Sequence, residues 1–395
     1  MSLRKLGALA LLTTVGCFSA SAQEIKTVFV IAMENHNWTQ PANQFTGGIQ
    51  QIYQNPAAPF INSLVNGTAV AIVGGKVVNI SEQVSYANNY HNVLATPTGN
   101  NLHIHPSEPN YIWAEAGDNF GINNDADPFP NNNQNTTEHL VTLLTRAGKT
   151  WKSYQEDIDL VPDGTGHFNN FVLPQDQWTV PLKSFNGVFS AGLNQFNGSN
   201  QYNYAAKHNP QVYFTDSNGG NDTTTANPLR TQYAPLQQLF TDLENNTVAD
   251  FNWITPNQFN DQHTTLTGGY QGLQGDPAKI KQGDDFLRQI VPLIMASKAY
   301  QENGVIILWW DESEGDGVSG DNADRFDHTI PEIIISKHAH KNVDGVPYAS
   351  TVNFTHSSDL RTFQNVFHVG PYLRDAANAP DLSDLFQPGA VPKQP

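Results

Sequence analysis

Apolar and polar positions follow two different periods along this chain. Residues 27–33 (TVFVIAM) are β-branched and almost continuously apolar, the pattern of a strand buried on both faces. Residues 211–215, 251–255, 305–310 and 330–336 repeat it. Residues 137–147 carry Leu140, Leu143 and Leu144 at helical spacing and stop at Gly148. Residues 284–300 predict a second amphipathic helix, with Phe286, Leu287, Ile290, Leu293 and Ile294 on one side and Pro292 as a point of bending. Strands alternating with helices predict an α/β fold with a mostly parallel sheet. Residues 119–135, 185–204 and 216–228 are rich in Asn, Gly and Asp. They exceed ordinary connections and read as long loop insertions, on the surface or over a site. No repeat or linker divides the chain, so residues 23–395 read as a single domain.

Residues 1–22 have a different character. Arg4 and Lys5 precede a short apolar run from residue 6 to 15, and Ala20-Ser21-Ala22 follows. This is the pattern of a cleavable signal peptide, and the run is too short to span a bilayer. The expected location is secreted or periplasmic. Cys17 is the only cysteine, so removal of the signal leaves no disulfide and no thiolate chemistry. Lipid anchoring at Cys17 is the lesser alternative, because Thr14 stands where a lipoprotein signal usually has Leu.

The 395 residues carry 20 Lys+Arg against 37 Asp+Glu, a formal charge of −17. That balance excludes a nucleic-acid binder, which needs a basic face, and electrostatic docking on an anionic membrane. At 38% hydrophobic residues the chain is globular rather than disordered. No later segment reads as a transmembrane span, and no obligate protein partner is implied.

Candidate chemistry follows two of the strands directly. Glu34-Asn35 comes after TVFVIAM, and Asp311-Glu312 comes after VIILWW. In open parallel sheets ligands bind at the carboxyl ends of strands. Three carboxylates and an amide oxygen there suit a hard divalent cation; taken singly, each pair is equally a turn cap. Ser107 lies in His105-Pro106-Ser107-Glu108-Pro109, ahead of a predicted helix to residue 116 that it would cap. A helix N-terminus favours negative charge and holds phosphate, so a serine there beside a cation is suited to act as a nucleophile.

Six segments in order, VIAMENHNW, HPSEPNY, NQFNDQH, WWDESEGD, FDHTIP and THSSDLRT, resemble the phosphoesterase family of bacterial acid phosphatases and phosphatidylcholine-type phospholipases C. The resemblance runs from residue 27 to 386. It implies a three-layer α/β/α sandwich of the alkaline-phosphatase-like kind and hydrolysis of a small-molecule or lipid phosphate ester. It further implies that Glu34, Asn35, Ser107, Asp311 and Glu312 surround one divalent metal (Ca, Mg, Mn, Zn or Fe), with Ser107 forming a phosphoseryl intermediate. Asn35, His263 and His328 would act with it. His91, His356 and Asp327 would bind substrate, with His91 preferred over His105. Imidazolium groups would supply positive charge for the phosphoryl group and favour mildly acidic conditions. The acidic loop with Asp316, Asp321 and Asp324 reads as solvated. Acid phosphatase is the leading activity; a phospholipase C-type diesterase and a non-catalytic exported binding protein on the same fold are the alternatives.

Overall fold

Four of the five runs expected to be buried on both faces lie side by side at the centre of one sheet. A computed structural model describes residues 23–39, 51–93, 104–314, 328–342 and 344–394; the signal segment 1–22 with Cys17, the acidic loop with Asp316, Asp321 and Asp324, and Asp327 lie outside them. The sheet strands are β1 (Thr27–Met33), β2 (Val84–Ala87), β3 (Trp151–Gln155), β4 (Tyr233–Pro235), β5 (Phe251–Thr255), β6 (Gly304–Trp310), β7 (Glu332–Ser336) and β8 (Tyr348–Ser350). Their order is β4-β3-β5-β1-β6-β7-β2-β8. All run in one direction except β7, which is antiparallel to both neighbours. β5 and β6 are buried throughout, and β1 from its second residue.

The helices are α1 (Pro59–Val65), α2 (Ser107–Ala116), α3 (Leu140–Arg146), α4 (Leu236–Asn245), α5 (Gly275–Ala296), α6 (Lys298–Gln301) and α7 (His356–Phe367). Side-chain alternation along the strands separates them into two layers. Trp253 and Trp309 meet Tyr111 of α2 edge-on, and Phe251 meets Phe363 of α7. Met33 and Trp310 point to the opposite face. There Gly283 lets α5 approach: a Cβ at that position would lie 2.7 Å from Met33 Cε and 2.3 Å from Gln262 Cγ. The result is an α/β/α sandwich, as expected.

Several local expectations differ. Of residues 211–215, the first three belong to a 3₁₀ turn, Pro210–Tyr213, rather than a strand, since a short buried run cannot distinguish the two by period. The strand expected from 330 starts at Glu332, because Pro331 has no N–H for the ladder. The irregular 185–204 stretch contains a hairpin, Phe185–Val188 with Gln201–Tyr204. The helix expected from 284 to 300 starts earlier, at Gly275, and breaks at Ser297, whose side chain caps α6. Among the described residues no helix is long and apolar enough to cross a membrane.

Two polar ties fix helix positions. Asp284 of α5 accepts the Phe60 and Ile61 N–H groups at 3.1 and 2.8 Å, capping α1 from another helix. Asp284→Ala strands both donors and should lower unfolding free energy by about 1–2 kcal/mol in urea titration. His139, before α3, reaches Glu115 at 2.9 Å and Asp216 at 2.8 Å. Burial alone would lower its pKa, but the hydrogen bonds and charges of Asp216 and Glu115 hold it above the ordinary 6.5. A raised value stabilises the fold below pH 6.5, and that contribution is lost as pH rises through the folded value. Above pH 6.5 the urea midpoint should therefore fall more steeply for wild type than for His139→Gln; parallel profiles would show that this cluster contributes nothing.

Candidate active site

Four neighbouring parallel strands, β3, β5, β1 and β6, deliver acidic or amide residues to one edge of the sheet. Glu156-Asp157 follow β3, the 257–263 segment follows β5, Glu34-Asn35 follow β1 and Asp311-Glu312 follow β6. Glu156 and Asp157 hold the segment after β5. Glu156 Oε2 accepts the Asn257 N–H at 2.8 Å, and Asp157 Oδ2 accepts from the Asn257 amide at 2.7 Å. Asn35 turns back with φ 36°, a left-handed conformation in which Asn is enriched. Its N–H donates to Asp311 Oδ1 at 3.0 Å.

Ser107 is the first helical residue of α2, while Pro106 takes the cap position; its hydroxyl does not cap the helix. It points instead at Glu34 Oε2 (3.0 Å), Asn35 Oδ1 (3.3 Å) and Glu312 Oε1 (3.3 Å). Two carboxylate oxygens and the Asn35 amide thus converge on a single hydroxyl. The next turn of α2 braces them: Tyr111 donates to Glu34 Oε1 at 2.5 Å and Asn110 to Glu312 Oε2 at 3.3 Å. His105 Nδ1 lies 2.6 Å from the same Glu312 oxygen.

This donor set fits a divalent cation. Burial, with Asp311 and Asp261 nearby, pushes the Glu34 carboxyl well above its usual range. Burial and then Glu312 do the same for Asp311, and burial for Asp261. Uncompensated carboxylates in a dry site take up protons or a counter-charge. The Asn35 amide sits among the same oxygens. With its oxygen inward, acceptor faces acceptor unless a cation lies between; with its nitrogen inward, it donates to Glu34 Oε2 at 2.7 Å and to both Asp311 oxygens. A second group of ligand atoms, from Glu34, His208 and Asp261, lies on the other side of Glu34, all within 4.8 Å of one another.

The phosphoesterase family model matches residues 18–370. This chain belongs to the phosphoesterase family. A probable acid phosphatase of Kluyveromyces lactis is 31% identical over 219 residues, 54% of this chain and 39% of the relative. An acid phosphatase of Aspergillus fumigatus is 28% identical over 53% of this chain and 36% of its own length. The chain thus matches less than two fifths of these two relatives. A phosphatidylinositol-3-phosphatase of Mycobacterium tuberculosis is 25% identical over 85% of this chain and 78% of that one. A solved protein in the alkaline phosphatase superfamily from Vibrio parahaemolyticus superposes with TM-score 0.46 at 12% identity, over 92% of this chain and 72% of that one.

In this chain the expected histidines fall in different places. His263 lies near the cluster, its ring 5.8 Å from that of His208, with Nδ1 2.9 Å from Thr264 Oγ1. Burial, then Lys207, lowers its pKa to about 3, so the ligand-free ring is neutral. His328 is buried beside Thr329, which bridges to Thr39 past the end of β1. His356 directs both ring nitrogens at protein groups: Nε2 lies 2.5 Å from the Asp311 carbonyl oxygen, and Nδ1 accepts from Trp309 at 3.1 Å. It therefore faces the backbone of Asp311, not open space beside Ser107. His91 lies 2.9 Å from Asn89 Oδ1 and lines a groove of ≈ 910 Å³ with Ile104 and Trp113. Between the two upstream histidines, it is His105 that reaches the Ser107 cluster.

The residues not foreseen come from segments whose sequence carried little signal. Lys207-His208 sits in a 3₁₀ turn. His208 stacks on Tyr111 with centroids 5.1 Å apart, its Nε2 3.2 Å from Glu34 and its Nδ1 3.3 Å from Asp261. Lys207 reaches Asp125 Oδ2 at 2.9 Å, and Asp125 Oδ1 accepts the Glu108 N–H at 3.2 Å, within the first turn of α2. Burial would lower the Lys207 pKa, but Glu34 and Asp125 hold it above its usual value. A lysine beside a histidine in a Lys-poor chain was the available clue. Lys207→Met should weaken binding of inorganic phosphate by about tenfold or more, the scale of one charge-assisted hydrogen bond. Calorimetric titration checks this, and an unchanged affinity would remove Lys207 from the site.

Proposed function

We propose that this protein is an exported, metal-dependent acid phosphatase that passes the phosphoryl group of a monoester to Ser107 and then to water. The observation that carries the reading is the Ser107 hydroxyl at the first residue of α2, facing Glu34 Oε2, Asn35 Oδ1 and Glu312 Oε1 within 3.3 Å. Oxygens at this spacing around a helix N-terminus match the demands of phosphoryl transfer, which are alignment and charge stabilisation. The relatives' names supply the monoester preference, and the basic-then-apolar start of the chain supports export.

In this reading Glu34, Asn35, Ser107, Asp311 and Glu312 would hold one divalent ion, which would supply Lewis acidity beside the Ser107 hydroxyl. The Ser107 proton leaves along the path to Glu34 Oε2. Ser107 Oγ bonds to phosphorus as the bond to the ester oxygen breaks, and the alcohol departs with the proton that Ser107 gave up. Water then attacks the phosphoserine, the Oγ–P bond breaks, and one water proton goes to Ser107 Oγ as phosphate leaves. Lys207 balances negative charge beside Glu34, with Asn35, His263 and His328 serving the phosphate pocket. Asp327 precedes His328 and belongs to the same proposal as a substrate ligand. His356 is a positioning residue that holds the Asp311 backbone. His91 meets the organic part of the ester through its groove.

Turnover of p-nitrophenyl phosphate should fall by about 10³-fold or more in Ser107→Ala, and should be lost on chelation and restored by a divalent metal. p-Nitrophenyl phosphorylcholine should be the poorer substrate; the opposite preference would make the protein a diesterase. Undiminished turnover in Ser107→Ala would overturn the mechanism.

A further inference from the structure

The same two strand ends that serve Ser107 carry a second set of ligand groups two residues further on. Beyond Glu34 on β1 comes His36, and beyond Glu312 on β6 comes Glu314; both meet Asp276 in the first turn of α5. One ligand atom from each of His36, Asp276 and Glu314 lies within 4.8 Å of the others. His36 is fully buried. Its Nδ1 lies 3.1 Å from the Glu34 carbonyl oxygen, which can only accept, so Nδ1 carries the proton and Nε2 presents a lone pair. Among the described residues that Nε2 is buried without a hydrogen-bond partner. A backbone carbonyl fixing one ring nitrogen while the other is left as a lone pair is how proteins orient a metal-binding histidine.

The backbone that carries Glu314 is held in place as well. The Glu314 N–H donates to Asn37 Oδ1 at 3.0 Å, and its carbonyl accepts from Asn37 Nδ2 at 3.3 Å. We infer that His36, Asp276 and Glu314 form a second divalent-cation site, separate from the Ser107 centre and suited by its one imidazole and two carboxylates to a first-row ion such as zinc or manganese. Lys279 Nζ, 3.2 Å from Asp276 Oδ1 and 3.7 Å from Glu314 Oε1, is the counter-ion without metal. Its side chain is 22% exposed, so it can swing to solvent when an ion binds. A bound ion ties the exits of β1 and β6 to α5 and so stiffens the loops that carry Glu34 and Glu312.

The test counts ions and uses no substrate, so it stands or falls apart from the phosphatase reading. Full-length protein stripped by chelation is titrated with zinc by calorimetry, and with manganese by electron paramagnetic resonance. Wild type should bind an equivalent that survives Glu312→Gln and is lost in Asp276→Asn and in His36→Gln. The Asp276 side chain is only partly buried, 27% exposed, so its variant reports even where His36→Gln fails to fold. Lys279→Met should tighten that equivalent by about two- to fivefold, the scale of one surface charge pair. Three outcomes overturn the inference: loss of all binding in Glu312→Gln, persistence of the second equivalent in Asp276→Asn, or its absence from both wild type and Lys279→Met.

Discussion

Three carboxylates, Glu34, Asp261 and Asp311, are held out of water at one edge of the central sheet, and much of the surrounding structure answers the electrostatic problem they create. Burial pushes each toward its neutral form, and their mutual repulsion adds to this. Some of the compensation is built into the chain. Tyr111 and Ser107 donate to Glu34, the Asn35 backbone donates to Asp311, and the Lys207 ammonium lowers the pKa of both Glu34 and Asp261. These donors are too few for the oxygens that converge on Ser107, which is why the set suits a cation.

The sheet supplies precision and the insertions supply charge. Strands β3, β5, β1 and β6 are locked in parallel register with buried runs on both faces, so the residues leaving them are placed by the most rigid part of the molecule. Lys207 and Asp125 come from long polar excursions, and each finds a partner at the start of α2 or beside Glu34. Loops placed on a rigid scaffold can vary charge and access while the metal-type ligands stay fixed.

Behind the site, a buried aromatic layer transmits position. Trp253 and Trp309 pack edge-on against Tyr111, so the residue that braces Glu34 is held by two strands. On the same face, His356 links α7 to the Asp311 carbonyl and to Trp309. Its ring is kept neutral, at a pKa of about 3, by burial, against the opposing pull of the Asp311 carbonyl. A neutral ring suits a fixed tautomer with one donor and one acceptor, which is the geometry seen.

The sequence by itself determined the strands at the centre of the sheet, the acidic pairs at their ends and the serine before α2. Continuous apolar runs and the residues that immediately follow them are local features, and local features survive in a linear pattern. It also determined the family, because six short segments keep their order. Direction of side chains and distant pairing were decided only by the tertiary structure. Ser107 falls one residue inside the helix, and its hydroxyl donates to Glu34 and Glu312, 73 and 205 residues away, instead of accepting a helix N–H. His356 turns to the Asp311 backbone, 45 residues distant, and His105 takes the place beside Glu312. Lys207-His208 had no strand end to mark it. These depend on which loops the sheet order brings together, and no spacing along the chain encodes that.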